Sequence, residues 1–72
     1  LRYIMHTWSE FALSSNREFK REFEAPTDEK AIAEVQRSIT EVSKQYPMTD
    51  FFSFLFRVEK SGREVEIFSM TA

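Results

Sequence analysis

Residues 26–47 set the terms for the rest of this chain. Pro26-Thr27-Asp28-Glu29 has the make-up of a helix start. Thr27 is a good N-cap, and Asp28 and Glu29 put negative charge at the positive end of the helix dipole. Ile32, Val35, Ile39, Val42 and Tyr46 then recur at spacings of three and four, forming one apolar stripe that Ala31 widens. Lys30, Glu34, Arg37, Glu41 and Lys44 take the other face, with Lys30/Glu34 and Arg37/Glu41 at salt-bridge spacing. Pro47 ends the run and biases Tyr46 away from helical geometry. The pattern predicts a helix over 28–45. An apolar stripe must be buried against another layer, and a single helix covers only one side of a sheet.

The segments around the helix read as strands. Over 51–60, Phe52, Phe54, Phe56 and Val58 alternate with Ser53, Arg57 and Glu59. Ser61-Gly62 marks a turn, and over 63–70 Val65 and Ile67 alternate with Glu64 and Glu66. An even loop pairs Val58 with Val65, Phe56 with Ile67 and Leu55 with Phe68. A three-residue loop instead sets Val58 against Glu64. Side-chain matching favours the even loop, because a one-residue slip moves every side chain to the other face. Before the helix, Phe19, Phe23 and Ala25 alternate with Glu18, Lys20, Glu22 and Glu24. Ser14-Ser15-Asn16 reads as a turn, with residues 2–13 as the partner strand. A two-residue turn pairs Trp8 with Phe23 and Glu10 with Arg21. A three-residue turn pairs Phe11 with Phe19, and a bulge near Ser9-Glu10 reconciles the two.

The order ββαββ defines one small α+β domain over residues 1–72. With the first strand between the second and third, the sheet is antiparallel in the order 2-1-3-4. The apolar 51–58 strand belongs inside, and the charged 17–24 strand suits an edge. A chain of 72 residues buries only roughly 60% of its unfolded surface. Its core must therefore be dense, and eight phenylalanines supply the means.

Composition narrows the function classes. There is no cysteine, which rules out disulfide and thiolate chemistry and fits a reducing, cytoplasmic setting. The apolar run Phe51-Phe52-Ser53-Phe54-Leu55-Phe56 is too short to span a bilayer and lies far from the N-terminus. The formal charge of −2 weighs against non-specific nucleic-acid binding, which draws its affinity from phosphate neutralisation. The chain opens on Leu1 rather than methionine, as expected either of a chain that has lost residues from its front or of a domain cut from something longer.

No residue pattern marks catalysis. His6 is the only histidine and has no cysteine or second histidine with which to build a transition-metal site. No nucleophile elbow is present, and Gly62, the only glycine, cannot form a phosphate loop. Glu18, Glu22, Glu24, Asp28 and Glu29 read as a solvated strand face and a helix cap. The expectation is a non-enzymatic domain with no cofactor and no metal.

Two surfaces remain. If Phe54, Phe56, Val65 and Ile67 face the helix, then Phe51, Leu55, Phe68 and Met70 lie on the helix-free face. They are joined there by Trp8 or Phe11, depending on register. Such a cluster is expected to mark a protein–protein or homodimer surface, and an edge strand offers a second docking route by strand addition. The alternative is a nucleic-acid-binding or regulatory accessory module using Arg17, Lys20 and Arg21 beside Phe19 and Phe23.

Overall fold

A computed structural model describes residues 1–11 and 17–72 of the chain. The elements run β1 (Arg2–Phe11), β2 (Arg17–Glu24), α1 (Asp28–Gln45), β3 (Thr49–Val58) and β4 (Glu64–Thr71). The four strands form one antiparallel sheet in the order β2-β1-β3-β4. The helix carries the chain from β2 across to β3 and packs on one face of that sheet. Element order and strand order are those expected from the sequence.

The helix begins and ends where its signals stand. Thr27 is extended, and its hydroxyl accepts the Lys30 N–H at 3.2 Å. At the other end the Tyr46 N–H donates to the Val42 carbonyl, and the Thr49 N–H turns back to the Tyr46 carbonyl before β3 starts. Ala31, Val35 and Ile39 are buried, with Ile32 and Val42 beside them. Tyr46, the last residue of the stripe, is 50% exposed. Arg37 pairs with Glu41 as its spacing predicts, whereas Glu34 is engaged by Arg37 and by Arg21 of β2 instead of Lys30.

Both hairpin registers differ from the expectation. In the first, Tyr3 pairs with Phe23, Thr7 with Phe19 and Ser9 with Arg17, one unbroken register over the described pairs, while the partner of Glu10 in this hairpin lies outside the described residues. This register centres the hairpin near position 13 instead of on Ser14-Ser15-Asn16, and those three residues lie outside the described residues. The Tyr3 and Phe23 rings stack with centroids 5.7 Å apart, a cross-strand contact that helps hold this register. In the second hairpin, Glu59 and Arg63 close a three-residue loop. Gly62 takes φ +88° there, and its N–H donates to the Glu59 carbonyl at 2.8 Å. That turn chemistry sets Val58 against Glu64, Arg57 against Val65 and Phe56 against Glu66. A bulge at Ile67 then absorbs one residue, so Leu55 pairs with Phe68 as expected and Ser53 with Met70. The turn dictates one register, the core requires the other, and the bulge joins them.

On β3 the face that receives the helix is the reverse of the expected one, whereas on β4 Ile67 packs against the core as expected. Tyr3, Met5, Thr7 and Ser9 of β1 and Phe51, Ser53 and Leu55 of β3 are buried against α1. Phe68 and Met70 pack around the same core. Phe51, Leu55, Phe68 and Met70 therefore belong to the interior and not to a partner surface. Phe54 and Phe56 point to the opposite side. The reason lies in shape and polar anchoring. Thr7 and Ser53 are small, sit opposite each other, and satisfy one another through a 3.0 Å hydroxyl hydrogen bond. At the helix start, the Tyr3 hydroxyl donates to Asp28 Oδ1 at 2.7 Å and Arg57 Nη1 donates to Asp28 Oδ2 at 2.5 Å. These bonds tie β1, β3 and α1 together on one side of the sheet. Asp28 thus does more than cap a dipole.

Candidate functional site: the open sheet face

The side of the sheet away from α1 is built by the even-numbered residues of β1, β2 and most of β3. Ile4, His6 and Trp8 pair across with Phe56, Phe54 and Phe52. Strand alternation puts all six on one surface. Val58 extends the row. Trp8 is 39% exposed, and Phe52, Phe54 and Phe56 are half-buried by their own neighbours. The His6 ring stacks on Trp8 with centroids 5.6 Å apart, and its Nε2 contacts the Glu18 carboxylate of β2. Trp8, Phe52 and Phe54 line a shallow hollow with Glu10 at its rim.

Polar residues frame this apolar band on both sides. On β2 the frame is Glu18, Lys20, Glu22 and Glu24; on β4 it is Glu64, Glu66, Ser69 and Thr71. At the end of the band, Glu10 of β1 stands directly opposite Asp50 of β3. Neither makes an ion pair among the described residues. Like charges directly opposite on a sheet are unfavourable. An apolar centre within a polar rim is the usual anatomy of a protein interface.

The resolved pKa shifts lie on the helix side, where charges are paired. Burial, followed by the hydrogen bond to Asp28, pushes the Tyr3 phenol up to about 12. Hydrogen bonds from Arg37 and Arg21 hold the Glu34 carboxyl down at about 2. Both are accounted for by structural contacts.

The expected basic patch is not a patch. Arg17 and Arg21 lie on the helix side of β2, while Lys20 lies on the open side opposite His6. Arg21 is further occupied by Glu34 and Ser38 and lies over the Phe23 ring. Between β2 and α1 two adjoining hollows of about 250 and 230 Å³ share Phe19, Val42 and Phe51. Their walls are chiefly apolar and bring together no acid–base or nucleophile pair. Among the described residues, no His, Cys, Asp and Glu side chains gather as a metal site, and no helix is long and apolar enough to cross a membrane.

The open-face residues were legible as an alternating set, since Phe52, Phe54, Phe56 and Val58 share a face on spacing alone. Which face they occupy was not, because it depends on contacts among Tyr3, Asp28 and Arg57, far apart in sequence. No protein-family model matches the chain, and no curated protein or solved structure is significantly similar to it.

Proposed function

We propose that this is a non-enzymatic protein-interaction domain that docks a protein partner on its open sheet face, through Trp8, Phe52, Phe54 and Phe56. The observation that carries the reading is β3 itself. Its run Phe51-Phe52-Ser53-Phe54-Leu55-Phe56 is apolar on both faces, the pattern of a strand covered on both sides. The helix covers one side, and the other presents a contiguous aromatic band. A cytoplasmic setting is part of this reading, supported by a sequence without cysteine.

The test is a comparison of the wild type with Phe54→Glu and Phe52→Glu. We expect both variants to remain folded, with a modestly lowered unfolding midpoint, and to lose cross-linking to the proteins that the wild type retains. Equal cross-linking by all three proteins, with folding intact, would sink the reading. Leu55→Glu is no test of the surface, because a charge at that fully buried position unfolds the domain.

A further inference from the structure

Resting on that reading, we infer that the occupant of the open face is a cationic protein segment. It lays lysine or arginine side chains along the acidic rim and apolar side chains on the aromatic band. A second copy of this chain does not meet those requirements.

Charge complementarity carries the inference. On β1 and β2 the open face holds Glu10, Glu18, Glu22 and Glu24 against Arg2 and Lys20. On β3 and β4 it holds Asp50, Glu64 and Glu66 with no cationic side chain. The chain as a whole is only at −2, so acidity is concentrated on this side and the remainder of the molecule is net positive. The acids on the helix side are largely neutralised: Asp28 by Arg57, Glu34 by Arg37 and Arg21, Glu41 by Arg37. On the open face, Glu10, Asp50, Glu64 and Glu66 have no cation within reach among the described residues. A partner's cations would relieve the opposed Glu10 and Asp50. The hollow lined by Trp8, Glu10, Phe52 and Phe54 offers a ring face for the stem of such a side chain.

The same features argue against self-pairing. A two-fold face-to-face dimer sets rim against rim. Both edges here are net acidic, so like charges would meet on each side. The apolar band covers two strands and seven residues, about 10 by 23 Å. That is well short of the ~800 Å² per partner of a stable interface. A homodimer would have to bury the acidic edges to reach that size, whereas a basic segment gains from them.

Trp8 is the only tryptophan, so its fluorescence reports on this face directly. The experiment titrates the full chain with a short peptide alternating lysine and leucine, with its glutamate–leucine counterpart, and with single-stranded oligothymidylate. Sedimentation of the protein alone is measured alongside. The expected result is a Trp8 emission shift with the lysine peptide only, weakening steeply as salt rises from about 0.05 to 0.3 M. Glu10→Gln combined with Asp50→Asn should weaken that binding about tenfold, and Phe54→Glu should abolish it while the domain remains folded. Equal binding of both peptides overturns the charge inference while leaving the docking face standing. A dimer that Phe54→Glu dissociates overturns it in favour of self-association, again leaving the face standing. Failure of the lysine peptide to bind, or binding of the oligonucleotide instead, overturns the inference outright.

Discussion

Strand β3 has two faces of opposite character. Its odd-numbered residues, Phe51, Ser53 and Leu55, lie under the helix and are at most 5% exposed. Its even-numbered residues, Phe52, Phe54, Phe56 and Val58, are the more hydrophobic set and yet lie on the open side. Apolar content therefore did not choose which face the helix covers. The covered face contains small hydroxyl residues, Thr7 and Ser53, that satisfy one another. It also carries the Tyr3–Asp28–Arg57 anchors. The open face has bulky rings that exclude a close helix and suit a broad contact. The difference teaches that a hydrophobic face is not by itself a core. A core also needs a shape that a neighbouring element can fill and polar groups that are paired.

The sharpest way to break this comparison is to truncate the two faces in parallel. Leu55→Ala and Ile39→Ala should each lower unfolding free energy by about 2–5 kcal/mol, as large-to-small changes at buried positions. Phe54→Ala should cost about 1 kcal/mol or less, since its ring retains contact with water. Denaturant titration measures all three, and equal losses at Leu55 and Phe54 would show that the faces are not distinct.

A second contrast concerns charge. Asp28→Ala leaves the Tyr3 hydroxyl and the Arg57 guanidinium without their shared acceptor, and should cost about 2 kcal/mol. Glu22→Ala on the open face removes only an exposed 3.5 Å pair with Arg2 and should cost about 0.5 kcal/mol or less.

The helix side also carries the pH dependence. Glu34 has its pKa lowered from 4.5 to about 2 by Arg37 and Arg21, so its contribution is fully present above pH 4.5 and is lost as pH falls toward 2. After screening at a partly exposed site this amounts to about 1 kcal/mol. Glu34→Gln should remove that part of the acid dependence. Tyr3 has its pKa raised from 10 to about 12, so its contribution is complete below pH 10 and is lost as pH rises through 12. Unfolding midpoints across both windows check the two signs, and Tyr3→Phe should flatten the alkaline limb. The smallest effect is expected at Glu41→Ala on the exposed helix face, within about 0.5 kcal/mol.

Much of the fold was legible because it rests on local chemistry. Thr27, the Ile32–Val42 stripe and Pro47 mark a helix without reference to anything outside it. Alternation marks the strands and groups their side chains. The first hairpin's register was not legible, because Ser14-Ser15-Asn16 carries a turn signal while the strand pairing centres the hairpin near position 13. The second was legible only in part. Side-chain matching correctly paired Leu55 with Phe68, but the loop around Gly62 imposed the other register near the turn, and only a bulge at Ile67 satisfies both. The basic cluster around Lys20 failed for a simpler reason, since neighbours on a strand point to opposite faces.

The sequence by itself determined the element order, the helix limits and the sets of residues that share a face, because periodicity and capping act within a few residues. Only the tertiary structure decided which set the helix covers. That choice depends on side chains brought together across 25 to 46 positions of sequence: Tyr3 with Asp28, Arg57 with Asp28, and Thr7 with Ser53. Local pattern records that a residue is apolar. Whether it meets a helix or a partner is set by shape and by the pairing of distant polar groups.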